Sequence, residues 1–334
     1  MAAITVEDTG KLPRLAAPPP GVPSRPVRSV TVAPKGFEGE GFPVRRAFEG
    51  VDLAILDPFI HLDQIGEVNY APGEPKGTPW HPHRGFETVT YMMDGVLEHA
   101  DSIGGGGVIR DGGTQWMTAG KGILHIETPP QDVVAAGGWF HGLQLWVNLP
   151  GAKKWIDPRY QDLESDQVVL VTTAGADTLL RIIAGPLGEF TGPGSTHSPI
   201  TMVHATFDPG ARADIPWPAS FNCLVYILGG DATVGAEARP VTTGELTVFG
   251  PGDAFTIEAG PQQDTRTGGL EVLFLGGQPI GEPVAWHGSF VMNTEAELRQ
   301  AYEDFHAGKL GVVPPNHPLA PSDEVAEGTD SALD

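Results

Sequence analysis

Two short motifs concentrate the side chains that could hold a metal ion. The first is Trp80-His81-Pro82-His83-Arg84-Gly85-Phe86-Glu87, and the second is Gly122-Ile123-Leu124-His125-Ile126-Glu127. Alternate side chains of an extended strand share a face, so His81 points with His83, and His125 with Glu127. Two such strands inside a small barrel can bring three imidazoles and one carboxylate to one point. That donor set suits a divalent first-row metal such as Fe, Mn, Ni, Cu or Zn. It suits Ca or Mg poorly, because hard cations want more oxygen. A five- or six-coordinate ion held this way keeps a position open for substrate or O2, whereas a purely structural site is closed.

A His-x-His pair alone is a weak signal; the two pairs together, each next to strand-like sequence, are a strong one. Glu87, four residues past His83, is expected on the same face, orienting a ligand imidazole. His61, His99, His141, His204 and His287 stand apart from any motif and are expected to be hydrogen-bonded structural residues. The run Gly104–Gly107 lacks the Lys-Ser/Thr and the following helix of a phosphate loop, and is expected to be a mobile hairpin loop. There is no Gly-x-Ser-x-Gly elbow. Cys223, in the apolar run NCLVYIL, has no catalytic partner and reads as a small buried hydrophobe. A single cysteine also excludes a disulfide framework and multi-thiolate metal sites.

Strands must position these residues. ETVTYMM (Glu87–Met93), GLQLWVNL (Gly142–Leu149), QVVLVTT (Gln167–Thr173) and EVLFLGG (Glu271–Gly277) are short, β-branched or aromatic, and bounded by Gly or Pro. Many short strands with frequent turns predict an all-β barrel or sandwich. The clear helix signal is NTEAELRQAYEDFHAG, with capping-box spacing at Thr294 and Glu297 and Gly308 at its C′ position. A weak internal repeat lays Val89–Gly95 over Leu224–Gly230, and Ile126-Glu127 over Ile257-Glu258, which predicts two copies of one barrel. This overlay puts Pro216, Pro218 and Thr256 where His81, His83 and His125 stand, with Glu258 retained. One lobe then holds metal and its twin does not.

The chain has 334 residues, enough for two domains, and 40% hydrophobic residues, enough for real cores. Gly 45 and Pro 32 make it turn-rich and disfavour a helical bundle. A net charge of −22 repels phosphate backbones and anionic lipid, so direct nucleic-acid or membrane binding is not expected. No apolar window is long enough to span a membrane, and MAAITVEDTG does not read as a signal peptide. The expected compartment is the reducing cytoplasm. The expected division is a flexible Pro-rich arm over 1–27, a metal-holding barrel over 28–160, a second barrel over 161–313 that ends in the helix, and an acidic flexible tail over 314–334.

Five stretches together resemble the pirin family of the cupin superfamily: HPHRGFETVTY (His81–Tyr91), QWMTAGKGILHIE (Gln115–Glu127), HGLQLWVNLP (His141–Pro150), PRYQD (Pro158–Asp162) and FVMNT (Phe290–Thr294). The resemblance covers about residues 28 to 313. It implies a bicupin, two antiparallel jelly-roll β-barrels with a short C-terminal helix and metal only in the first. It implies His81, His83, His125 and Glu127 as ligands, Fe(II) as the usual metal, and quercetinase-type dioxygenase activity on a flavonol with O2. Glu127 is then both ligand and general base, and Trp80, Phe86 and Trp116 are near enough in sequence to wall a flat substrate. The family also implies an alternative from another class. Members described as coregulators or as modulators of metabolic enzymes act through a protein partner, and here the metal's redox state would alter a surface.

Overall fold

The computed structural model describes residues 4–313, so the acidic tail expected over 314–334 lies outside the described residues. Four sheets build two lobes. The first lobe pairs a seven-stranded antiparallel sheet with a four-stranded one. The larger sheet runs Arg159–Leu163, Thr114–Thr118, Phe86–Asp94, Gly138–Asn148, Phe59–Tyr70, Phe42–Arg46, Lys35–Glu38. The smaller runs His81–His83, Ile123–Thr128, Leu97–Asp101, Gly106–Ile109. The second lobe repeats the plan with an eight-stranded sheet and the four-stranded sheet Arg212–Pro216, Ala254–Ala259, Asp231–Val234, Arg239–Thr242. This is the bicupin architecture.

The large sheets pack face to face. All nine residues of Phe86–Asp94 are buried, Glu87, Thr88, Thr90 and Asp94 among them. Its Val89, Tyr91 and Met93 join Trp116, Leu143 and Leu145 against Met202, Leu224, Tyr226 and Leu273 of the second lobe. The second lobe fills its own interior with apolar side chains such as Ile215, Phe255, Ile257, Val272 and Phe274. The first lobe does not; its interior holds the histidines.

The division between lobes differs from the expected one because edge strands are exchanged. Val27–Val32, ahead of the first lobe, pairs with Glu245–Phe249 at the edge of the second lobe's sheet. Arg159–Leu163, ahead of the second lobe, pairs with Thr114–Thr118 at the edge of the first. The segment expected to be a loose arm is a strap over the second lobe. Leu15 is buried in that lobe's core, and the buried Arg25 guanidinium donates to the carbonyls of Gly250 (3.1 Å), Pro218 (2.9 Å) and Phe221 (2.8 Å). Proline, which fixes φ, reduces the entropy lost when such a strap is laid down.

The C-terminal helix spans Glu295–His306 with the expected capping box at Thr294 and Glu297, and Gly308 lies at φ +70°. The helix and the preceding hairpin (Ala285–His287 and Phe290–Met292) pack on the first lobe. Arg84 bridges to Phe290 and pairs with Asp304 at 2.9 Å, and Leu124 joins a cluster with Leu298 and Leu310. The Asp304 carboxyl is held well below the ordinary carboxylate range by hydrogen bonds from Lys309 and Arg84.

The glycine run is pinned. Gly106 and Gly107 lie in the strand Gly106–Ile109, and the Asp101 carboxylate accepts from the backbone N–H of Ile103 (2.7 Å) and Gly105 (2.9 Å). A Cβ on Gly107 would stand 2.9 Å from His99 Nε2, so glycine there makes room for the imidazole.

Candidate metal centre

The His81–His83 strand lies antiparallel to Ile123–Thr128, with His81 opposite His125 and His83 opposite Ile123. Directly opposed residues of an antiparallel pair face the same way, so the three imidazoles meet inside the first barrel. Ring centroids are 4.7 Å apart for His81–His83, 4.3 Å for His81–His125 and 4.8 Å for His83–His125. One ring nitrogen from each lies within 4.8 Å of the other two.

The outer nitrogens set the tautomers. His81 Nδ1 donates to the Pro79 carbonyl at 2.8 Å, and His83 Nδ1 faces the Ser289 carbonyl at 3.4 Å. Each Nε2 is left as a lone pair. Burial pushes all three imidazoles below their ordinary pKa, His83 and His125 far below, with mutual repulsion adding to the shift at those two. Neutral rings are the form that binds metal. His81 Nε2 and His125 Nε2 stand 2.8 Å apart. Two bare lone pairs at that distance repel unless a cation or a proton lies between them, so the donor set fits a divalent metal ion.

Glu127 is buried two residues beyond His125, but its carboxylate is not within that 4.8 Å set. Thr90 donates to its Oε1 at 2.8 Å, and Gln144 Nε2 reaches Oε2 at 3.5 Å. Burial raises its pKa while the Thr90 hydrogen bond opposes the rise.

Glu87 does not orient a ligand. Gly85, at φ +89°, breaks the alternation between His83 and Phe86; a Cβ there would meet the Val291 carbonyl oxygen at 2.0 Å. Glu87 therefore turns to the opposite face, where Thr118 donates to it at 2.7 Å. Trp116 lies on that face too, in the core between the lobes, and so is not a pocket wall. Phe86 does stand against His83 (5.1 Å), and sequence reasoning missed its neighbour Trp146, 5.3 Å from His83 and 4.4 Å from Phe86. Trp286, from the C-terminal hairpin, and His61 extend this aromatic wall at 6.2 Å and 5.1 Å from Trp146. His61 also sits 3.1 Å from Asp63. His141, His204 and His287 are hydrogen-bonded, to Gln64, to Tyr91 with Glu271, and to Tyr302. Cys223 is fully buried, and burial pushes its thiol well above the ordinary range.

The second lobe corrects the sequence overlay by one residue. Its inward side chains on the equivalent strands are Ala213, Ile215, Phe255, Ile257 and Ala259, all in the apolar core. Thr256 and Glu258 point outward, where Thr256 donates to Asp214 and Glu258 lies 3.6 Å from Arg212. A one-residue slip exchanges the faces of a strand, so Glu258 is no relic of Glu127.

Comparison with known proteins agrees with this architecture. The family model Pirin matches residues 41–147, and the Pirin C-terminal cupin domain matches residues 202–311. Pirin-like protein 2 of Arabidopsis thaliana is 38% identical over 293 residues, covering 86% of each chain. A Pseudomonas aeruginosa protein, provisionally named a quercetin 2,3-dioxygenase, is 37% identical over 280 residues, or 83% of this chain and 95% of that one. A crystal structure of quercetin 2,3-dioxygenase from Acinetobacter baumannii superposes with a TM-score of 0.80 at 33% identity, covering 87% of this chain and all of that one. A converging imidazole triad in the first of two cupin barrels, with matches of this length on both, makes the chain a member of the pirin family.

Proposed function

We propose that this protein is an iron(II)-dependent dioxygenase that opens flavonols such as quercetin, consuming O2 and yielding a depside and carbon monoxide. The observation that carries the proposal is the convergence of three imidazoles, two buried and one half-buried, beneath the Phe86–Trp146 aromatic wall. Held by His81, His83, His125 and Glu127, the ion would supply Lewis acidity toward the flavonol 3-oxygen and the means to activate O2. The chain's own residues do the rest. Glu127 takes the proton of the 3-hydroxyl, and Thr90 holds that carboxylate in place. Trp146, backed by the fully buried Phe86, stacks against the flat rings, and Trp286 shields the mouth from water. Neither the open-chain product nor the gas requires any further co-reactant.

The test is ferrous protein incubated aerobically with quercetin. Bleaching of the flavonol absorbance with stoichiometric carbon monoxide supports the proposal; intact quercetin with one iron bound per chain rejects it. Trp286→Ala should raise KM for quercetin about five- to tenfold, as expected for losing roughly 1 kcal/mol of aromatic stacking. An unchanged KM would remove Trp286 from the wall.

One contact favours a second reading. His83 faces the Ser289 carbonyl in the turn of the C-terminal hairpin, so a ligand is tied to a surface element. In that reading the protein is a metal- or redox-dependent regulator, and a partner's affinity changes with iron oxidation. A co-purifying protein released on oxidising the iron, together with intact quercetin, would select it.

A further inference from the structure

The aromatic wall beside the imidazole triad includes one ring with a lone pair to offer. His61 and Trp146 stand opposite each other on neighbouring strands, 5.1 Å between ring centroids. Trp286 of the C-terminal hairpin lies 6.3 Å from His61 and 6.2 Å from Trp146. Side chains alternate along the strand Phe59–Tyr70, so Leu62 enters the core between the lobes while His61 and Asp63 share the other face. The His61 side chain is 21% exposed, so solvent, and therefore a ligand, reaches the ring.

Asp63 decides how this imidazole is used. Its carboxylate is buried, and Oδ1 lies 3.1 Å from His61 Nε2. Arg46, opposite Asp63 on the next strand, pairs with Glu38 instead, so among the described residues His61 is the ion-pair partner of Asp63. Of the two neutral tautomers, a carboxylate beside Nε2 favours the one protonated there. The ring nitrogens point to opposite sides, so Nδ1 turns its lone pair away from Asp63, and it takes no hydrogen bond from a described residue. Indole N–H groups only donate, and Trp286 Nε1 already donates to the Gly288 carbonyl at 3.0 Å. His61 Nδ1 is thus an acceptor set into a wall of apolar faces and donors. The wall runs 5.3 Å from His83 to Trp146 and 5.1 Å onward to His61, a path comparable to the length of a flavonol from its 3-oxygen to an outer ring.

We propose that His61 determines which flavonols are bound: its Nδ1 accepts a hydrogen bond from a phenolic hydroxyl on a ring remote from the 3-oxygen, and Asp63 is the positioning residue that holds the tautomer. The preferred class is then polyhydroxylated flavonols, over those that carry the 3-hydroxyl alone. The inference rests on the dioxygenase reading for the direction in which the substrate lies, but it concerns binding and is measured without turnover.

The test is anaerobic titration of the full-length, metal-loaded protein with quercetin and with 3-hydroxyflavone, which keeps the 3-hydroxyl and lacks the others, followed by quenching of tryptophan fluorescence. The parent should bind quercetin about five- to tenfold more tightly, the gain expected of one hydrogen bond to a partly buried acceptor. His61→Phe keeps a ring against Trp146 and should bring the two affinities within about twofold by weakening quercetin alone; His61→Gln, which restores an acceptor, should recover part of the preference. Asp63→Asn can meet Nε2 with oxygen or nitrogen and no longer fixes the tautomer. It should lower the preference about two- to threefold with 3-hydroxyflavone unaffected, a split that a general loss of packing does not produce. A preference that survives in His61→Phe, equal weakening of both flavonols, or no saturable binding of either to the parent would overturn the proposal. Quercetin bound with this preference but left intact in air would reject the dioxygenase reading and leave the role of His61 standing.

Discussion

Replacing Glu127 by Gln is expected to lower quercetin turnover by about 10²- to 10⁴-fold, the range typical of losing a positioned general base. The amide is nearly isosteric, and its oxygen can still accept from Thr90, so the barrel interior keeps its packing. What disappears is the proton acceptor. Burial raises the carboxyl's pKa and so makes it a stronger base than a solvated glutamate. Iron content, measured by elemental analysis of the same preparations, separates the two roles assigned to this residue. Iron retained with turnover lost supports the base role, and iron lost together with turnover makes ligation its main contribution. Full turnover would remove Glu127 from the chemistry and leave the imidazole triad as the whole centre.

The second large effect is expected at Lys154, a residue without any motif. Its side chain is fully buried, and its ammonium donates to the Gly85 carbonyl (2.8 Å), Asn148 Oδ1 (2.6 Å) and the Val291 carbonyl (2.8 Å). It thus ties the kink after His83 to the C-terminal hairpin. Lys154→Met keeps the volume but strands three buried acceptors, a loss of about 3–5 kcal/mol in chemical denaturation. Burial lowers the lysine's pKa to about 7, against an ordinary value of 10.5. Between those values the unfolded chain binds more protons than the folded one, so this group makes stability rise as pH climbs from about 7 to 10.5. The Met variant should lose that slope. An unchanged slope, or a variant as stable as the parent, would mean that the ammonium is dispensable.

The site was legible in the sequence where it depends on alternation within one strand. His81 and His83, and His125 with its strand-mate Glu127, could be placed on common faces from spacing alone, and the capping box marked the C-terminal helix correctly. Failures came where a local break or a distant partner decides. Gly85 turns the chain between His83 and Glu87, and nothing in the spacing announces a positive φ there. Trp146 stands two residues past Gln144 on one inward face, so HGLQLWVNLP did hold a usable signal once its strand was known to neighbour Phe86–Asp94. Trp286 comes from beyond the second lobe, and no local pattern could bring it to the first. The proline-rich arm was misjudged because composition reports how little a segment buries by itself, not what a neighbouring sheet edge offers it.

The exchange of edge strands has an evolutionary corollary. Severed near residue 155, each half would keep a naked strand edge and carry a ribbon cut to fit the other half, so neither fragment is a viable module. The twin that carries no imidazole triad cannot be discarded by deletion, because it shelters a border of the histidine-bearing barrel and lends its own border in return. Selection on the imidazole triad of one half is therefore shared, residue by residue, by the half that lacks one.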